Sequence, residues 1–333
     1  MKHLFVVNPV AGKQKPEEKL RLINEAIDRL PAEQRSRDEF EIYVTEAPMD
    51  ACRHIRGTAA DGAELRVYAC GGDGTLNEVV NGAAGYPNAA VTNVPIGTGN
   101  DFLKIFGPDS KALFSDLRAL GEGVQAPFDL MDCNGKLGIG VVCAGVDARI
   151  AADVHKYKAL PFLSGMAAYT LSLVVNVLFK GLSRPTVIRA GDAVLEGAST
   201  IICICNGRYY GGGFMPVGEA MPDDGVLDML VVPKVSRLTF FRLVKQYATG
   251  HYREYPELIW AHHGQEITYA SLDGSDVVTV VDGETMRAPE FTVTLSGKRV
   301  NFFYPEGASY LPWKEVPSDE VSGKQKVTAG TAG

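Results

Sequence analysis

Residues Gly71 to Glu78 read Gly-Gly-Asp-Gly-Thr-Leu-Asn-Glu and follow the apolar run Leu65 to Cys70. A strand that ends in a glycine loop and opens a helix is a place to bind phosphate. The glycines let the backbone approach a polyanion, Thr75 offers a hydroxyl, and the first turn of the next helix aims unpaired N–H groups at the loop. Asp73 adds something that anion capture does not need. A carboxylate beside a phosphate repels it unless a cation or a proton transfer stands between them, so the segment points to nucleotide chemistry. The bland alternative is an ordinary strand-to-helix turn.

Two more apolar runs end in comparable loops. His3 to Val7 leads into Asn8-Pro9-Val10-Ala11-Gly12-Lys13, and Ala89 to Val94 leads into Pro95-Ile96-Gly97-Thr98-Gly99-Asn100-Asp101-Phe102. Neither is a better-known phosphate motif. Gly12-Lys13 is followed by Gln14 rather than Ser or Thr, which argues against a P-loop, and Phe102 stands where a dinucleotide fingerprint needs its third glycine.

The elements that must hold these loops alternate through residues 1–125: strands at His3 to Val7, Phe40 to Val44, Leu65 to Cys70 and Ala89 to Val94, with helices at Pro16 to Leu30, Met49 to Ala60 and Thr75 to Ala83, and shorter ones near Asp101 to Phe106 and Asp109 to Leu120. That alternation predicts an α/β, doubly wound parallel sheet, in which carboxyl-end loops share one crevice. The rhythm changes after Gly121. Short β-branched runs from Phe128 to Leu295, with helices only near Ala148 to Phe179 and Ser236 to Thr249, predict a β-rich, sandwich-like domain over residues 126–310 whose C-terminal end packs back on the first. Residues 318–333 read as a disordered tail.

Composition bounds the function. The chain has 333 residues, 46% of them apolar, enough for two cores. A net charge of −7 without a Lys/Arg stripe argues against nucleic acid. Six scattered cysteines with no Cys-x-x-Cys pair, and an N-terminus with no signal-peptide pattern, suggest a cytoplasmic protein. Phe162 to Phe179 approaches the length of a membrane span, but its polar interruptions and the helical recurrence of Leu163, Ala167, Leu171 and Leu178 favour a buried helix.

Taken together, Asn-Pro-x-x-Gly, Gly-Gly-Asp-Gly-Thr-x-Asn-Glu and Gly-Thr-x-Asn-Asp-Phe, in this order, resemble the diacylglycerol kinase catalytic-domain family, which also holds sphingosine and ceramide kinases. The resemblance is strongest to the soluble bacterial diacylglycerol kinases. It implies an ATP- and Mg²⁺-dependent lipid kinase. The nucleotide cradle would be Asn8, Pro9, Gly12, Thr45, Gly72, Asp73, Gly74, Thr75, Asn77, Glu78, Thr98 and Glu284. Asp73, Asp101 and Asp129 would converge on catalytic Mg²⁺, and Asp282, in Val281-Asp282-Gly283-Glu284, would be the general base. By its residues alone, that Asp-Gly between two β-branched runs is a hairpin turn. Asp224, with the carbonyls of Met221 and Val226, would hold a structural metal; an Asp-Gly turn is the plain reading there too. Where the family often has Ala-Arg after Phe102, this chain has Leu103-Lys104, which keeps charge but loses bidentate phosphate contact.

The favoured acceptor is diacylglycerol. Other lipid alcohols (phosphatidylglycerol, a sphingoid base, an undecaprenol-type alcohol), an NAD kinase-like activity and a non-catalytic lipid-binding module are the rivals; Gly-Thr-x-Asn-Asp-Phe counts against NAD kinase. A lipid substrate implies peripheral work at the inner face of the membrane, and Arg149, Lys156 and Lys158 with Tyr157, Leu160, Phe162 and Leu163 form the expected contact. A homodimer is the assembly considered.

Overall fold

The computed structural model describes residues 1–97, 99–158 and 165–311, without the side chains of His155, Lys158 and residues 165–170. Thr98, Leu160, Phe162, Leu163 and the tail beyond Leu311 lie outside the described residues.

Apolar runs and helix signals alternate in the first part as β1 (Lys2–Val7), α1 (Pro16–Asp28), α2 (Ala32–Arg37), β2 (Glu39–Val44), α3 (Asp50–Ala60), β3 (Leu65–Gly71), α4 (Asp73–Ala83) and β4 (Ala89–Pro95). All four strands are parallel, with β1 between β2 and β3 and β4 beside β3. Parallel strands covered on both faces must be apolar throughout, and Leu4 to Val7 and Val67 to Cys70 are buried without a break. Proline opens α1, where its missing N–H costs nothing.

A 3₁₀ turn at Phe102–Phe106, α5 (Ser110–Leu113) and α6 (Leu117–Gly121) lead into the β-rich part. Its strands are β5 (Val124–Cys133), β6 (Lys136–Gly138), β7 (Val141–Gly145), β8 (Arg184–Ala190), β9 (Ala193–Cys205), β10 (Leu227–Pro233), β11 (Trp260–Gly264), β12 (Glu266–Ser271), β13 (Val277–Val281), β14 (Glu284–Ala288) and β15 (Glu290–Tyr304), with α7 (Val146–Lys158), α8 (Gly165–Leu178) and α9 (Arg237–Ala248) between them. Period-two alternation in β9 divides two cores. Ile201, Cys203 and Cys205 pack with residues of α7 to α9, while Ile202 and Ile204 pack against Met229, Ile267 and Phe291 on the opposite face.

The last strand differs from the sequence reading, which ended it at Leu295. A bulge between Leu295 and Arg299 shifts its register on β5, and the strand resumes. The polar residues Ser296 to Lys298 mask that continuation. Beyond the bulge Asn301 and Phe302 pair in parallel with Ala90 and Val91, so β15 joins the antiparallel part, through β12, to the parallel part. Phe302 and Phe303 finish in the core built on β1, β3 and β4. Among the described residues no helix is long and apolar enough to cross a membrane.

Candidate active site

The loops after β1, β3 and β4 open on two cavities. One, of about 590 Å³, is the more polar of the two and its lining includes Asn8, Pro9, Gly12, Thr45, Gly72, Gly74, Thr75, Glu78 and Glu284. The other, of about 310 Å³, is walled by apolar side chains that include Leu76, Phe102, Ile139, Val141, Phe214 and Val280. Asp73, Gly99, Asp282 and Gly283 line both, so the partition between them carries two carboxylates.

The polar cavity is built by backbone that tolerates no bulk. Gly12 has φ +69°, and a Cβ there would stand 2.2 Å from the Ile96 carbonyl oxygen. Asn8 donates its side-chain amide to Thr75 Oγ1 at 3.1 Å, tying the loop after β1 to the first turn of α4. Lys19, on the same face of α1 as Ile23, is almost fully buried and donates to the carbonyls of Asn8 and Pro9. Sequence reasoning missed it, although a lysine one turn before Ile23 on the apolar stripe was the available signal. The helix expected from Thr75 begins at Asp73, so Gly74 and Thr75 put first-turn N–H groups on the polar cavity.

In the partition, Asp73 Oδ1 accepts from the Asp101 N–H at 2.6 Å. A Cβ on Gly99 would sit 2.4 Å from Asp73 Oδ2, so a side chain there would have to displace the carboxylate. Burial and, next, the Asp101 charge push the Asp73 carboxyl up to about 6. Asp101 holds Lys104 Nζ at 2.5 Å and accepts from the Gly212 N–H at 2.7 Å. Asp282 and Gly283 both have positive φ, the pair that a type I′ hairpin turn requires, and the turn joins β13 to β14. The hairpin reading therefore holds for Asp282, and the same turn places it on the lining of both cavities. Its carboxylate accepts from the N–H groups of Ile139, Gly140 and Val141 at 2.7, 3.0 and 2.9 Å and from Asn77 Nδ2 at 3.3 Å. Burial pushes this carboxyl above the usual range, and the Ile139 and Val141 N–H groups pull the other way.

Asn77 is not part of the polar lining. It is buried, donates also to the Leu137 carbonyl, and serves the partition rather than the polar cavity. The apolar cavity holds one further carboxylate that the sequence did not single out. Asp147 accepts from Tyr210 Oη at 2.9 Å, Tyr210 Oη lies 3.1 Å from Tyr247 Oη, and burial pushes Asp147 up to about 6.

Asp129 does not join Asp73 and Asp101. Its carboxylate takes Arg299 Nε at 2.7 Å and the Gly225 N–H at 3.0 Å, on the loop that contains Asp224. The third carboxylate at the crevice is Asp282, because the β13–β14 hairpin and not the start of the second domain closes it. On the Asp224 loop, Asp224 Oδ1 accepts the Val226 N–H at 3.0 Å, and Met221 lies with its sulfur 3.3 Å from Arg208. Among the described residues no group of three or more His, Cys, Asp or Glu forms a ready-made cluster for a metal ion. Both regions nonetheless suit a cation. Burial and then neighbouring carboxylates raise Asp73, and burial with the Asp223 and Asp129 charges raises Asp224; a positive ion relieves both. Arg149, expected to meet lipid headgroups, is spent internally on the carbonyls of Gly145, Gly181 and Leu182.

Two family models match consecutive parts of the chain: the diacylglycerol kinase catalytic domain over residues 2–133, and the YegS C-terminal NAD kinase beta sandwich-like domain over residues 140–303. A protein of Pseudomonas aeruginosa strain PAO1 named probable lipid kinase YegS-like is 31% identical over 230 residues, 67% of this chain and 70% of that one. The protein of Bacillus subtilis strain 168 named diacylglycerol kinase is 27% identical over 222 residues, 63% of this chain and 70% of that one. A solved structure described as a diacylglycerol kinase from Bacillus anthracis strain Sterne superposes with a TM-score of 0.62 at 18% identity, covering 92% of this chain and 98% of that one, which is a likeness of fold.

Proposed function

The chain belongs to the diacylglycerol kinase catalytic-domain family and is a lipid kinase of that kind, and from that premise we propose that it transfers the γ-phosphoryl group of ATP to the primary hydroxyl of diacylglycerol, giving phosphatidate. The observation that carries the reading is the partition: Asp73 and Asp282 stand between a polar cavity sized for a nucleotide and an apolar one suited to a lipid alcohol.

ATP would lie along Asn8 to Gly12 and Gly72 to Glu78, with Thr45 and Glu284 at its edges, and first-turn N–H groups of α4 on its phosphates. Asp73 and Asp101 would hold the Mg²⁺, which supplies neutralisation of phosphate charge when bound. The acceptor's O–H proton goes to Asp282, its oxygen bonds to the γ-phosphorus, and the bond to the β-bridging oxygen breaks to leave ADP. Four donors fix Asp282 and occupy both of its oxygens, so accepting a proton requires one of these bonds to loosen. That arrangement trades basicity for aim.

A second acceptor class has its own support. Asp147 and Tyr210 give the apolar cavity a polar end, which suits a lipid with hydroxyls beyond the one phosphorylated, such as phosphatidylglycerol. Incubation with γ-labelled ATP and a panel of lipids, read by thin-layer chromatography, decides between them. Labelled phosphatidate alone supports diacylglycerol. Label only in a phosphatidylglycerol product supports the second class, and no labelled lipid rejects both.

A further inference from the structure

Helix α9 is amphipathic in the ordinary sense on one side: Phe240, Leu243 and Tyr247 are buried in the core under β9. On its other side Leu238, 62% exposed, and Phe241 stand in solvent one turn apart. Among the described residues nothing covers that second apolar pair. Arg237 shows what lies beside it. Its guanidinium donates to the carbonyls of Val177 at 2.9 Å and Leu178 at 3.0 Å, bonding the start of α9 to the end of α8. At that end of α8 Val174, Leu178 and Phe179, the last 79% exposed, are further apolar side chains in solvent.

Charge is segregated around this patch. Residues 165–184 and 234–249 contain Lys180, Arg184, Lys234, Arg237, Arg242 and Lys245 and no Asp or Glu, in a chain whose net charge is −7. Asp153 neutralises part of it through Lys180 at 2.5 Å. Exposed Phe and Leu ringed by cations is the chemistry that lets apolar groups enter the acyl boundary while ammonium and guanidinium groups stay among anionic headgroups. A second copy of the chain is a poorer occupant, because a two-fold contact through this patch would bring like charges face to face.

We propose that the exposed ends of α8 and α9 form a docking surface for an anionic bilayer, a reading that rests on the lipid kinase activity proposed above. Tyr247 at the far end of α9 hydrogen-bonds Tyr210, which lines the apolar cavity. From Leu238 to Tyr247 is nine helical steps, about 14 Å, so a molecule seated here holds its acceptor cavity close to the membrane surface.

Flotation of the full chain with phosphatidylcholine vesicles, with and without phosphatidylglycerol, tests it, together with phosphorylation of a detergent-dispersed lipid. Binding to anionic vesicles should fall about tenfold or more in Arg242→Glu/Lys245→Glu, and similarly in Phe179→Ser/Phe241→Ser, and should weaken as salt rises. Activity on the dispersed lipid should stay within about twofold in both. Vesicle binding that is unchanged in both double variants overturns the proposal, as does a loss of self-association without a loss of vesicle binding. If wild type binds anionic vesicles but phosphorylates no dispersed lipid, the kinase reading fails and the surface stands.

Discussion

Asn77 and Asp282, 205 positions apart in sequence, meet with the Asn77 Nδ2 3.3 Å from Asp282 Oδ2. The bond locks the β13–β14 hairpin onto α4. It also favours the charged form of a carboxylate that burial pushes toward neutrality.

Replacing Asp282 with Asn keeps the turn and removes proton acceptance. The expected result is a kcat lower by about 10² to 10⁴-fold with ATP affinity held within a few-fold. Steady-state kinetics in both substrates check this, and near-normal turnover would remove Asp282 from the role of base.

Removing the Asn77 donor should act through Asp282. In Asn77→Ala the carboxylate loses a bond to its charged form, so its pKa rises and the acid limb of the pH–rate profile moves to higher pH, with kcat at neutral pH lower by about tenfold. A variant whose kcat falls uniformly at every pH would mean that Asn77 only supports the fold.

Asp73 sets a second limb. With its carboxyl raised to about 6, protonation below that pH costs the metal a ligand, so activity should drop as pH falls through about 6. Because Mg²⁺ favours the charged form, raising its concentration should carry the limb downward. A limb indifferent to Mg²⁺ would separate Asp73 from the metal.

Mg²⁺ should raise the melting temperature of the nucleotide-free protein, and Asp224→Ala should remove that part of the rise which Asp73→Asn leaves. Equal melting temperatures in EDTA and in millimolar Mg²⁺ would leave the Asp224 loop a plain turn.

For Asp147 the linkage sign is definite. Its folded pKa, about 6, lies above the ordinary aspartate value of 3.8, so the native state prefers the neutral form and stability is lost as pH rises from about 4 to 6. Asp147→Asn should therefore stabilise the protein at pH about 7 by on the order of 1–2 kcal/mol and change little at pH about 4. Denaturant titrations at the two pH values measure it; an equal effect at both would trace the change to packing.

The three glycine-bearing loops were legible because each follows a continuous apolar run, and a parallel strand buried on both faces leaves no other pattern for its sequence to take. The family was legible for a related reason: phosphate binding constrains backbone, and backbone constraint is written in glycines such as Gly12 and Gly99 at fixed spacing. The hairpin at Asp282 was local too, since positive φ at two successive residues selects Asp-Gly.

Which carboxylates meet was not local. Asp129 is drawn to Arg299 by the register of β5 on β15, while Asp282 reaches Asp73 because β13 pairs with β7 and presents its turn to the loops after β3 and β4. Register across strands far apart in sequence depends on the summed fit of whole faces, and the β15 bulge shows how a few polar residues conceal it. The sequence determined the kinds of group and the loops that carry them. Only long-range strand pairing, which closes one cavity on the other, decided that Asp73 and Asp282 stand together on the partition.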